Sequence, residues 1–178
     1  MRLNLGCGGK HLEGYINCDM PQNHSNKQPD VPCDLHKLPF EDDSADEILS
    51  VHVVEHFWRW EVEDVLKEWV RVLKPGGLMV LECPNLEEAC RQFLANPKVL
   101  QADDDAKRSL WVFYGDPKWK DPLMVHRWGY TPWTLGHLMH SCGLVQIERH
   151  PAEFKQRDPR DMRMVGRKIG ASQSPDIS

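Results

Sequence analysis

Residues Glu61 to Glu82 constrain the fold of this chain more than any other stretch. Apolar side chains at Val62, Val65, Leu66, Trp69, Val70 and Leu73 recur at the three- and four-residue spacing of one helical face. Lys74-Pro75-Gly76-Gly77 then stops the helix and turns the chain, and Leu78 to Glu82 follows as a strongly apolar strand. The same alternation recurs on both sides. Upstream, Leu3 to Leu5 reads as a short buried strand cut off by Gly6-Cys7-Gly8-Gly9, Tyr15 to Asp19 as a second strand, and Ala45 to Val51 as a central one. Downstream, Leu86 to Leu94 reads as a helix, and Thr131-Pro132 as an N-cap with proline at the first helical position. That helix continues through Leu135, Leu138 and Met139 and ends at Ser141-Cys142-Gly143. Leu144 to Arg149 and Asp161 to Lys168 complete the pattern as two strands joined by a polar loop. Short apolar strands alternating with helices predict an open α/β sheet, in which ligands bind beyond the carboxyl ends of the strands.

Between the first two strands there are only about nine residues, fewer than the ten to twelve that a crossover with its helix normally needs. The first helix is therefore expected to be one turn or absent. Pro21 to Pro32 reads as a loop, Cys33-Asp34-Leu35 as a strand end, and Leu38-Pro39-Phe40 as a fixed turn. Residues 96–124 mix an acidic run, Asp103-Asp104-Asp105, with Trp111, Phe113, Tyr114 and Trp119, the composition of an insertion that folds over something. The chain of 178 residues suits one domain over 1–169, followed by a tail from Gly170 to Ser178 of disordered composition.

Charge and cysteine usage narrow the function classes. A net charge of -5 provides no basic field for a nucleic-acid backbone, so no nucleic-acid partner is expected. The six cysteines include no C-x-x-C pair and read as reduced thiols. The N-terminus has no signal-peptide pattern, and no apolar run reaches the roughly 18 residues of a membrane span. A cytoplasmic protein without a membrane partner is the expectation.

Two clusters could carry chemistry. His52-Val53-Val54-Glu55-His56 matches the inverted zinc-peptidase string, in which two imidazoles on one helical face hold a metal and the carboxylate takes a proton from bound water. That reading needs a third ligand downstream and a helix beginning before His52, whereas Ala45 to Val51 reads as a strand. No metal is expected. Gly6-Cys7-Gly8 lets the backbone turn tightly and approach a ligand, yet it lacks the third glycine of a dinucleotide fingerprint, His11 standing there, and the lysine of a P-loop. Asp19, at the next strand end, could accept bonds from two ribose hydroxyls, and Asp34 from an adenine amino group.

Taken in order, these pieces resemble a small class I S-adenosylmethionine-dependent methyltransferase of the methyltransferase-11 type. Leu3 to Gly9 is similar to the nucleoside-binding glycine motif, Asn17-Cys18-Asp19 to the ribose-binding strand end, and Cys33-Asp34-Leu35 with Leu38-Pro39-Phe40 to the adenine-side segment. Phe40 to Phe57 resembles the fourth strand and its turn, Val70 to Gly77 the signature before the fifth strand, and His126 to Pro132 the entry to the last helix in one branch. The resemblance implies a Rossmann-like three-layer sandwich with a seven-stranded, mostly parallel sheet whose last strand is antiparallel. It implies S-adenosyl-L-methionine as cofactor, bound by Asn4, Gly6, Cys7, Gly8, Asp19, Asp34, Leu35 and, through its backbone, His52. Asn4 departs from the acidic residue common at its position, so it can bond the amino-acid end of the cofactor without balancing its charge.

Methyl transfer then follows from positioning and desolvation, with His56 and His126 as candidate bases and Glu55 and Arg127 as candidate contacts to the acceptor. The expected acceptor is a small molecule or a sugar-containing compound, methylated at oxygen or nitrogen. Trp58, Trp60, Trp111, Trp119, Trp128 and Trp133 are expected around the ligand end. A homodimer or the aromatic insertion could cover the side left thin by the short first crossover. The alternatives are a non-catalytic cofactor-binding module that regulates a partner enzyme and, behind it, a zinc hydrolase built on residues 52–56.

Overall fold

The computed structural model describes residues 1–21, 27–95, 110–154 and 160–170. Strands β1 (Arg2–Leu5), β2 (Ile16–Asp19), β3 (Val31–Pro32) and β4 (Ala45–Val51) precede helix α1 (Val62–Val72). Strand β5 (Leu73–Pro84), helices α2 (Leu86–Ala95) and α3 (Pro132–Ser141), and strands β6 (Leu144–His150) and β7 (Asp161–Lys168) follow. The strands form one seven-stranded sheet in the order β3-β2-β1-β4-β5-β7-β6. Pairings from β3 through β5 are parallel, and β7 runs antiparallel to both β5 and β6. The chain steps outward from β1 to β3 and then returns to the other side of β1 as β4. That reversal opens a crevice beyond the carboxyl ends of β1 and β4.

Burial explains why the central strands read as apolar runs. Leu3, Leu5, Ile48, Leu49, Met79, Val80 and Leu81 are all buried, as strands covered by helices on both faces must be. Helix α1 buries Val62, Val65, Leu66 and Trp69 on one face, the face its spacing predicts. Trp69 is fully buried and its indole N–H donates to the Leu35 carbonyl at 2.9 Å, so the largest core side chain leaves no polar atom unpaired. Helix α3 starts at a capping box: the Thr131 hydroxyl accepts from the Thr134 amide at 3.1 Å, and the Thr134 hydroxyl from the Thr131 amide at 2.9 Å.

Two local expectations change. Lys74 to Gly77 lies within the bounds of β5 and not before it: Ala45 pairs with Leu73 and Glu47 with Leu78, so these residues bulge out of the ladder. Strand β3 ends at Pro32, which places Cys33-Asp34-Leu35 just past the strand. The first crossover carries no helix among its described residues, one of the two outcomes its length allows. Buried amides hold it instead: Asn4 Nδ2 donates to the Lys10 carbonyl and to Asn17 Oδ1, each at 2.9 Å, and Asn17 Oδ1 also accepts from the Leu12 amide at 2.8 Å. Asp30 Oδ2 in turn accepts from the Asn17 amide and side chain, at 2.9 and 2.7 Å. Residues 96–109, including the acidic run, and residues 171–178 of the tail lie outside the described residues. No helix among the described residues is long and apolar enough to cross a membrane.

Candidate functional site

At the end of β1 the chain turns through Gly6 (φ 71°) and Gly8 (φ 49°), both in the left-handed region that favours glycine. The two glycines serve different ends. A Cβ on Gly6 would lie 2.3 Å from Val53 Cγ2, so this glycine lets the turn pack against the loop after β4. A Cβ on Gly8 would meet nothing within 4 Å, and Gly8 lines open space. The turn is held by Asp19 at the end of β2, whose Oδ2 accepts from the Gly8 amide at 2.6 Å while Oδ1 accepts from the Met20 amide at 2.7 Å. The Cys7 thiol is pushed up to about 12 by burial and by the nearby Asp19 carboxylate, so it stays protonated and is no nucleophile.

This turn forms one side of a cavity of about 610 Å³ at the carboxyl ends of the strands. Asn4, Gly6, Cys7, Gly8, Asp19, Asp34, Leu35, His52, His56, His126 and Arg127 all line it, so eleven of the twelve site residues expected from the sequence come together. The twelfth, Glu55, is buried behind the wall. The cavity suits a nucleoside carrying an amino-acid arm: Asp19 offers a carboxylate at one strand end, Gly8 leaves room for close approach, and buried Asn4 stands at the base. Asp34 sits nearer solvent and shares its Oδ1 with the amide and Nδ1 of His36 at 2.9 and 2.7 Å; these bonds hold its carboxyl below the usual range.

Other lining residues carried no sequence signal. Phe154 reaches the cavity because Glu82, fully buried at the end of β5, accepts from the amides of Glu153 and Phe154 at 3.2 and 3.0 Å and pairs with Arg163 at 2.8 Å. Leu123 and Met124 arrive from the second half of residues 96–124. Of the six tryptophans expected at the ligand end, Trp119 alone lines the cavity. Trp58 and Trp60 stack on each other outside it, with centroids 4.8 Å apart and planes 8° from parallel. Arg127 connects the two places, lining the cavity with its guanidinium 5.1 Å over the Trp58 ring. Trp133 stacks on His137 at the surface.

Behind the cavity wall lies a polar cluster. His52 has φ 56°, and Val54–His56 forms a single 3₁₀ turn, so His52 and His56 do not share one helical face. The peptidase-like pairing of these two imidazoles is thereby removed. His52 Nδ1 instead lies 3.0 Å from Glu55 Oε1, and its Nε2 3.7 Å from Asp161 Oδ1. The His52 amide donates to the Glu82 carbonyl at 2.7 Å, leaving it turned into the sheet end. Burial alone would push the Glu55 carboxyl up, but the His52 imidazole beside it, with His56 and His126 further off, holds it at about 2. Burial lowers His56, against the pull of Glu55, so His56 is a neutral imidazole near pH 7. The backbone amides of Arg127 and Trp128 both donate to the Glu55 carbonyl, at 2.8 and 3.2 Å, which straps the entry to α3 onto this turn.

Comparisons with known proteins agree with this geometry. A sequence-family profile described as "Methyltransferase domain" matches residues 3–81, the stretch that contains the glycine turn, Asp19, Asp34 and His56. A mouse protein named "Probable tRNA methyltransferase 9B" is 33% identical over 102 residues, 51% of this chain and 23% of that protein. The mouse "tRNA (carboxymethyluridine(34)-5-O)-methyltransferase ALKBH8" is 29% identical over 122 residues, 60% of this chain and 18% of that protein. The chain thus spans less than a quarter of the length of these relatives. Among solved structures, a SAM-dependent methyltransferase from Archaeoglobus fulgidus superposes with a TM-score of 0.63 at 17% identity, covering 94% of this chain and 85% of that one. A Haloferax volcanii complex of the Trm112 methyltransferase activator with its methyltransferase gives 0.58 at 16% identity, covering 94% and 82%. These superpositions bear out the Rossmann-like sheet. The relatives named for tRNA overturn the expected partners, a small-molecule acceptor and no nucleic acid. The exclusion of nucleic acid rested on net charge, which averages over a surface and does not by itself describe a local binding face.

Proposed function

We propose that the chain is a class I S-adenosylmethionine-dependent methyltransferase, a reading supported by the methyltransferase-domain profile over residues 3–81, and that it transfers the methyl group of that cofactor to a nucleotide of a transfer RNA. The observation that carries this reading is the sequence likeness to relatives named as tRNA methyltransferases, which extends over half of the chain. The rim of the cavity supports it. Trp58 and Trp60 are 41% and 74% exposed and already stacked, the arrangement in which an unpaired base finds a flat apolar face. Arg127 bridges this platform and the cavity, placing a guanidinium where a phosphate beside the target nucleotide would pass.

Within the cavity the chain's own groups divide the work. Asp19 and the turn at Gly6–Gly8 hold the nucleoside of the cofactor, and Asn4 bonds its amino-acid end. The cofactor, when bound, supplies an electrophilic methyl group. His56, His126, Leu123 and Met124 form the wall that meets the acceptor and excludes water from it. The test is transfer of tritiated methyl from the cofactor to a total tRNA pool, followed by digestion to nucleosides. A single labelled nucleoside is the expected product. Undetectable label in RNA, from protein that still binds the cofactor by calorimetry, would withdraw the acceptor and leave family membership standing.

A further inference from the structure

We propose that Glu55, His56 and His126 hold a first-row divalent cation in the wall of the cavity. One nitrogen from each imidazole and one carboxylate oxygen lie within 4.8 Å of one another. Zinc–nitrogen and zinc–oxygen bonds of about 2 Å would bring such atoms together through shifts of roughly 1 Å or less. The downstream histidine, His126, joins the turn because the segment that carries it is strapped to the Glu55 carbonyl, a contact that only the folded chain creates.

Three features point to a cation and not to a merely structural cluster. Both imidazoles are oriented from behind: Nδ1 of His56 donates to the Val125 carbonyl at 3.2 Å, and Nδ1 of His126 to the Val112 carbonyl at 2.9 Å. With Nδ1–H committed to a carbonyl, Nε2 carries the lone pair, and this outer-shell arrangement is the usual one for metal-binding histidines. The His126 Nε2 is 3.9 Å from Glu55 Oε1, too long for a hydrogen bond. Glu55 itself is 1% exposed; His52 Nδ1 lies 3.0 Å from its Oε1, and its Oε2 has no hydrogen-bond donor among the described residues. One close imidazole only partly balances a carboxylate buried this deeply, and a divalent ion between it and the imidazoles of His56 and His126 completes the balance. His56 and His126 also line the cavity, so the open positions of such an ion face the acceptor. The nitrogen-rich donor set suits Zn²⁺, Co²⁺ or Ni²⁺ better than Ca²⁺, Mg²⁺ or Mn²⁺. This assignment gives the two histidines a ligand's role in place of the base's role expected from sequence. Polarisation of an acceptor oxygen by the ion rests on the function proposed above, whereas the binding of the ion does not.

The experiment uses the whole protein, stripped with a chelator and titrated with Co²⁺ under visible and near-ultraviolet absorption. The expected result is saturation at one equivalent, with d–d bands and no thiolate charge-transfer band, and displacement by Zn²⁺. His56→Ala, His126→Ala and Glu55→Gln should each weaken binding by more than the roughly 10- to 100-fold that loss of an outer-shell partner costs. His137→Ala, at the surface of α3, should bind as the parent does. Circular dichroism melts confirm that each variant is folded, and Glu55→Gln keeps the shape of the side chain while removing its charge. Lack of saturable binding would overturn the proposal. So would a thiolate band, which would place the ion on the cysteines, or unchanged affinity in folded Glu55→Gln. All these outcomes are read without RNA, so they stand apart from success or failure of tRNA methylation.

Discussion

Asp19 and Gly8 show how one contact serves fold and ligand together. The carboxylate that lines the cavity also holds the Gly8 amide at 2.6 Å, so the glycine turn is shaped before any cofactor arrives. Asp19→Ala removes both functions, and hydrogen bonds to charged groups are each worth about 1.5–3 kcal/mol. Calorimetry should show cofactor affinity reduced by about 10- to 100-fold. Asp34→Ala should cost less, under about 10-fold, because that carboxylate is more exposed and already shared with His36. The two glycines separate stability from binding. Gly6→Ala forces a methyl group into Val53 at a positive φ and should destabilise the protein by at least about 2 kcal/mol, lowering the melting temperature by about 4–8 °C. Gly8→Ala meets no protein atom and should cost only the roughly 1–2 kcal/mol of its backbone conformation. Its new methyl group faces the cavity, so calorimetry should register the larger effect as lost cofactor binding.

Helix α3 is where an element's stability and the site are joined. Its capping box at Thr131 and Thr134 lies just after His126, Arg127 and Tyr130, so the cap fixes the end of the cavity wall as well as the helix. Thr131→Ala should lower stability by about 1 kcal/mol in urea denaturation at unchanged m-value. This helix and α1 were legible in the sequence because their signals are local: a proline after threonine, and an apolar stripe that ends in Trp69, Val70 and Leu73. The start of β5 was not, since Lys-Pro-Gly-Gly reads as a turn and only pairing with β4 reveals a bulge carried by the strand. The first crossover was half legible. Its length left room for one helical turn at most, but the amide chain Asn4–Asn17–Asp30 that stands there depends on the register of β1 against β2. The same division holds for the site: Gly6, Gly8 and Asp19 stand at strand ends in sequence order, whereas Phe154 reaches the cavity through a buried glutamate on a distant strand.

At the scale of the whole molecule, a net charge of -5 and the proposed nucleic-acid acceptor make a joint prediction about how binding responds to salt. A protein that neutralises six to ten phosphates loses about 10³–10⁵ in affinity between 50 and 200 mM salt. A negative net charge lends an RNA backbone no long-range attraction, so contact in the proposed complex should depend on stacking at Trp58 and Trp60 and on local ion pairs, Arg127 among them. Affinity for tRNA, followed by tryptophan quenching, should therefore fall by less than about 10-fold over the same range. Trp60→Ala removes a largely exposed ring whose stacking partner is Trp58. Stacking of one base on an aromatic ring contributes about 1–3 kcal/mol, so this variant should weaken tRNA binding by about 5- to 150-fold. Cofactor affinity should change little, because neither tryptophan lines the cavity. A steep salt dependence with no effect of Trp60→Ala would place the RNA on a different face of the molecule and remove the aromatic platform from the recognition surface.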